Sequence, residues 1–179
     1  MSVRTRVLVP AALLIALAGL AGCGGSSNSN TVPSKAEYKQ TYASLNSNIN
    51  ALGLAVGTAI NKSSGKSNKD IAKEFADLAD RARAAAKKVD DATPPADANI
   101  QKQQAALVAG LNTAADDLDA ISKASEKKDF KAAGTAAGKL TRDNAGVATP
   151  HAQLNKIVLG LVPAPVKTTT KAATTTTAP

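Results

Sequence analysis

Apolar residues recur at alternating steps of three and four through most of the chain. The first stripe is Tyr38, Tyr42, Leu45, Ile49, Leu52, Val56 and Ala59. It begins at a capping-box pattern, Ser34 with Glu37 three residues on, and it stops at "NKSSGKSN". A second stripe runs Ile71, Phe75, Leu78, Ala82, Ala85, Val89, with Ser67 or Asn68 to cap it and Asp70 in its first turn. Its outer face sets Asp77 near Arg81 and Asp80 near Arg83. "DATPPAD" ends this helix, because Pro94 and Pro95 cannot continue one but can start the next. The third stripe is Ile100, Gln104, Leu107, Leu111, Ala114, Leu118, Ile121, Ser125. After a possible cap at Asp129, the fourth runs Phe130, Ala133, Ala137, Leu140, Asn144, Val147, His151, Leu154, Val158, Leu161.

The spacing therefore predicts helices over about 34–62, 68–91, 95–126 and 130–161, within a helical body spanning 34–162. No segment carries the alternation or the β-branched runs of a strand. Short loops between long helices make neighbours antiparallel. The predicted fold is all-α, an antiparallel four-helix up-down-up-down bundle. "GVATP" is expected to kink or restart the fourth helix near Pro150, with Thr149 as a local cap.

In that topology the end of helix one lies level with the start of helix four. Gly53 and Gly57 on one, and Gly134 and Gly138 on the other, are then expected to meet in close helix packing.

Composition narrows the core rather than the function. Apolar residues make up 44 % of the sequence, much of it alanine, and the aromatics are only Tyr38, Tyr42, Phe75 and Phe130. Such a core is thin, and helices are the elements that pack closely on small side chains. The chain carries a formal charge of +8. Without Arg4 and Arg6 the 22 basic residues become 20, against 14 acids, or +6. These charges are scattered among one another at helical spacing, with no basic stripe and no interleaved aromatics, so no nucleic-acid partner is expected. Mild attraction to anionic headgroups or wall polymers is compatible with the excess.

The opening residues have a different pattern. Arg4 and Arg6 precede an apolar run from Val7 to Leu20, too short to span a bilayer, and then comes "LAGC". Cys23 is the only cysteine. Leu20, Ala21, Gly22 and Cys23 resemble the lipobox of bacterial lipoproteins. The resemblance implies cleavage before Cys23, diacylglyceryl modification of its sulfur, and attachment to the membrane on its extracytoplasmic face. Residues 1–22 are then a signal peptide and 23–33, "CGGSSNSNTVP", a small polar tether. Residues 163–179 are Thr, Ala and Pro with no apolar periodicity, and they read as a disordered tail. The body is also similar to helical lipoproteins of actinobacteria. The similarity rests on "TPPAD", "LVAGLNTAADDLDAISKA", "KDFKAAG" and "QLNKIVLGL", with Lys128 where glycine is usual and no cysteine after Leu161. It implies a shared helical fold and no particular activity.

Candidate chemistry is sparse. His151 is the only histidine and falls on the apolar stripe, at a depth near Tyr42 and Gln104. Asn144 lies one heptad before it. These four form a candidate buried polar cluster, the imidazole hydrogen-bonded to Tyr42 or Gln104. Asp116, Asp117 and Asp119 sit mid-helix, where a calcium loop cannot form, and read as a solvated face. Ala148 occupies the place that Glu-x-x-His di-iron bundles give to glutamate, so no metal site is expected. No phosphate loop and no nucleophile with a neighbouring base is present, so neither catalysis nor a cofactor is expected. The favoured expectation is a structural or interaction module of the cell envelope, held to the membrane by lipid on Cys23 and facing an envelope protein or wall polymer. The alternative is a carrier or sensor holding a small apolar ligand or haem near His151.

Overall fold

A computed structural model describes residues 32–161. The leader, the lipobox Leu20–Cys23, nearly all of the tether and the tail 163–179 lie outside the described residues. Five α-helices follow in order: α1 (Lys35–Asn61), α2 (Asn68–Asp90), α3 (Ala98–Glu126), α4 (Phe130–Asp143) and α5 (Ala145–Leu154). A π-helical turn, Asn155–Leu159, extends α5. Together α4, α5 and the π-turn make the fourth rod of an all-α bundle, and no strand occurs among the described residues.

Caps fix where these helices begin. Ser34 and Glu37 close a reciprocal capping box on α1, the serine amide donating to the Glu37 carboxylate at 2.7 Å. That bond is the main reason the Glu37 carboxyl sits below its ordinary pKa. Ser67 caps α2, Asp97 caps α3 and Asp129 caps α4. The α3–α4 junction is a Schellman motif. Lys128 N–H bonds the Ser125 carbonyl, Asp129 N–H bonds the Ala124 carbonyl, and Lys128 takes a φ of +57°. A lysine thus occupies a left-handed position that glycine adopts most freely.

The core gathers where the stripes meet. α3 is central, packed along α2 on one side and along α4 and α5 on the other. It buries more than its predicted stripe, including Gly110, Ala115 and Asp117. Leu107, Leu111 and Leu118 are essentially inaccessible, and burying each such side chain stabilises by about 1.5–3 kcal/mol. α1 lies on α2 and closes onto the π-turn.

Two expectations need correction. The fourth rod is interrupted at Asn144, where α4 ends and α5 begins, six residues before Pro150. Pro150 lies buried inside α5, and Thr149 caps nothing there. The glycine pairs do not meet either. Nothing lies within 4 Å of a Cβ built on Gly53, Gly57 or Gly134, and one on Gly138 meets only Arg142 of its own helix.

The close glycine contact is elsewhere. A Cβ on Gly110 of α3 would overlap the Gly146 carbonyl of α5 and come within 2.9 Å of the Val147 nitrogen. Pro150 has no N–H to offer the Gly146 carbonyl four residues before it. That oxygen is therefore released from the helix ladder on the side where Gly110 lets α3 approach, a geometry suited to a weak Cα–H···O contact.

Candidate functional site

Two layers of hydrogen-bonded polar side chains lie at the end of the bundle where α1 and α3 begin. In the first, Tyr38 donates its hydroxyl to Gln104 Oε1 at 2.7 Å. Gln104 Nε2 in turn donates to the carbonyls of Val89 at 2.7 Å and Ala92 at 2.6 Å. One amide thus ties α1 and the end of α2 to α3 while satisfying two carbonyls that have passed the helix ladder. Burial pushes the Tyr38 hydroxyl up to about 12, so it remains a donor.

The second layer surrounds the histidine. Tyr42, stacked on Tyr38 at a 6.0 Å centroid distance, donates to Asn155 Oδ1 at 3.1 Å and lies 3.4 Å from the His151 carbonyl oxygen. Burial pushes the Tyr42 hydroxyl up as well. His151 Nε2 is 2.7 Å from Asn46 Oδ1. The ring is half-buried, and this desolvation lowers its pKa. Neutral imidazole donating to Asn46 accounts for the arrangement.

The predicted cluster is therefore split. Tyr42 and His151 adjoin one another, but through the histidine backbone. Gln104 serves Tyr38, and Asn144 is exposed at the α4–α5 junction with no cap hydrogen bond from its side chain. Sequence reasoning missed Asn46 and Asn155 as partners, although each stands four residues beyond Tyr42 and His151 respectively, on the same helical face.

The aspartates of α3 also depart from expectation. Asp116 and Asp119 hold Arg83 of α2, which is 3.8 Å from Asp80 as well. These bonds, that to Asp119 first, raise the guanidinium pKa. Asp117 is only 2 % exposed and so is not part of a solvated face. Its Oδ1 meets Lys139 of α4 at 2.6 Å, while Oδ2 is buried without a partner. Among the described residues no three His, Cys, Asp or Glu side chains gather to hold a metal ion. None of the described helices is long and apolar enough to cross a membrane.

Toward the opposite end the bundle is apolar and open. A cleft of about 300 Å³ lies between α1 and the α3–α4–α5 side. Its walls are Ile49, Leu52 and Val56 of α1, Leu111 and Leu118 of α3, and Leu140 of α4. Gly53 and Gly57 border it and bring no side chain into the space. Thr141 and Asn144 supply the only polar side chains on its lining. His151 does not border this cleft.

Nearby surface is unusually apolar. α1 carries no charged side chain from Gln40 to Asn61, in a chain whose residues are 20 % charged. Leu54 is 75 % exposed, Ile60 40 %, and Phe130 at the start of α4 72 %. No family model, curated protein or solved structure matches the chain.

Proposed function

We propose that this is a lipid-anchored envelope protein whose helical body presents the far half of α1 to an extracytoplasmic partner. The anchor is read from "LAGC": acylation of Cys23 places lipid at the start of a short polar tether leading to Ser34. The partner surface rests on one observation, the uncharged face of α1 with exposed Leu54 and Ile60. Depletion of charge with retention of large apolar groups is the composition of an interface centre rather than of free surface. This face sits at the end of the bundle remote from Ser34, so a membrane below the tether leaves it accessible. A protein partner fits an apolar face better than a wall polymer, which would seek the scattered cations. Haem or metal chemistry at His151 gains no support, because Nε2 is committed to Asn46.

Two measurements test the reading. Metabolic labelling with a palmitate analogue should mark the wild-type chain and leave Cys23→Ala unmarked. A photo-crosslinking side chain at Leu54 should capture a reproducible envelope protein, whereas one at Lys102, exposed on α3, should not. Label retained by Cys23→Ala removes the anchor, and equal capture from both positions removes the interface.

A further inference from the structure

Leu54 borders a second groove, between α1 and α2. It holds about 640 Å³, with Leu54 and Ala55 of α1 on one wall and a charged row of α2 on the other. Asp70, Lys73, Asp77 and Arg81 make that row, and all four are exposed. Their spacing keeps them on one helical face over roughly 16 Å. Opposite charges four residues apart are placed to pair along a helix. Yet Lys73, Asp77 and Arg81 enter no ion pair among the described residues. Lys66 and Glu74, in the same groove, are bound to each other at 2.6 Å. Asp70 accepts a hydrogen bond from the Ser67 hydroxyl on one carboxylate oxygen and leaves the other open.

The signs of the row alternate: minus, plus, minus, plus. Read backwards they give plus, minus, plus, minus, so the row is complementary to its own copy laid antiparallel. In that register Lys73 faces Asp77 of the second copy, Asp70 faces Arg81, and the midpoint falls at Phe75. A separate observation brings α1 to the same level. Leu54 stands eight residues before Lys62, the C-cap of α1, and Phe75 stands eight after Ser67, the N-cap of α2. Across an antiparallel hairpin the two are level. Leu54 is also the most exposed large apolar side chain among the described residues. A two-fold axis at that level lays α1 on α1 and α2 on α2, and sets Leu54 of each copy against the other.

From this coincidence we infer that the partner of the Leu54 face is a second copy of this chain, docked antiparallel about a two-fold axis at Leu54 with the α2 charges pairing along the rim. The inference rests on the interface reading of α1 and names its partner. An apolar centre bordered by complementary charge has the make-up of a specific interface. The axis points the two Ser34 positions in opposite directions, so a pair anchored in one membrane lies along it.

The test introduces Leu54→Cys into the full chain carrying Cys23→Ser, where the new thiol is the only one. Mild oxidation of the purified chain should give a covalent dimer. Lys102→Cys, exposed on α3, is the control and should give about tenfold less. Lys73→Asp, and independently Asp77→Lys, should each slow dimer formation about tenfold or more, because one reversal sets like charges together twice across the axis. The chain carrying both reversals should recover, since opposite signs meet again; a partner other than a copy would see no such rescue. Equal dimer from Leu54→Cys and Lys102→Cys overturns the proposal, as do single reversals without effect or a double variant that stays slow. Photo-crosslinking at Leu54 that captures a different envelope protein, with no thiol dimer, leaves the interface standing and removes the second copy. Capture of nothing, with no dimer, removes both.

Discussion

The carbonyl of Gly146 on α5 occupies the space in which a side chain on Gly110 of α3 would stand. The relation is one-sided. A Cβ on Gly146 would meet the Cα of Gly110 at 3.7 Å, an ordinary contact, whereas a Cβ on Gly110 would collide with backbone that cannot rotate away. Gly110→Ala should therefore destabilise by about 3 kcal/mol, the upper range for overpacking a core. Gly146→Ala should be neutral or gain up to about 1 kcal/mol from better helix propensity. Urea unfolding of the two variants checks the asymmetry; equal losses would contradict the contact.

Gln104 satisfies three groups with one amide, so its removal orphans all of them. Gln104→Leu leaves the Tyr38 hydroxyl and the Val89 and Ala92 carbonyls buried without this partner. A loss of about 3 kcal/mol is expected, the scale for several buried polar groups left unmade. Tyr38→Phe removes only one of the bonds and should cost about 1 kcal/mol. A smaller effect for Gln104→Leu than for Tyr38→Phe would show that the amide is not the hub.

His151 makes stability depend on pH in a definite direction. Burial lowers its folded pKa below the ordinary 6.5. Below 6.5 the unfolded chain takes up the proton more readily, so stability is full above that value and falls as pH drops toward the folded one. His151→Gln should flatten this part of the profile. Melting curves collected between about pH 7.5 and pH 5 provide the comparison; a wild-type protein that gains stability over that descent would reverse the sign.

The Asp117–Lys139 pair predicts a contrast between single and double replacement. Lys139→Ala strands a buried carboxylate whose second oxygen already lacks a partner. It should lower the melting temperature by several degrees, because the Asp117 carboxylate stays buried once its half-exposed cation is gone. The double variant Asp117→Leu with Lys139→Met should recover most of that loss. Thermal denaturation of all three chains decides it, and a double variant no better than the single would rule the account out.

Lys128 holds a left-handed backbone at the α3–α4 turn. Only glycine adopts that conformation freely, and other residues carry roughly 1–2 kcal/mol of steric cost. Lys128→Gly should raise stability by about 1 kcal/mol, part of the gain being offset by the greater freedom of glycine in the unfolded chain. Chemical denaturation would detect the shift.

The helices were legible because their signals are local. A stripe from Tyr38 to Ala59, a capping box at Ser34 and an aspartate at position 129 act within one or two turns. Contacts between helices were not legible, since they depend on rotation and offset that a stripe leaves free. Gly53 and Gly57 were expected opposite Gly134 and Gly138, yet they border the cleft beside Leu140 and Asn144, and the pair that touches is Gly110 with Gly146. Asp117 shows the same limit. Three aspartates at 116, 117 and 119 span too much of the helix circumference to face water together once α3 is packed on two sides. Asp117 falls one heptad after Gly110 and four residues before Ile121, both buried. That position was available from the spacing. The charge alone argued against using it.

The polypeptide enters the bundle at Ser34 and leaves it after Leu161, and the two points share one end because α1 closes onto the π-turn. Tension applied between the termini thus acts first across α1 and the π-turn, where Tyr42 meets Asn155. The load would peel that end apart and bypass the cleft altogether. A pull on the tether is resisted by hydrogen bonds near the chain's entry and exit, while the apolar end, mechanically off the load path, keeps its shape.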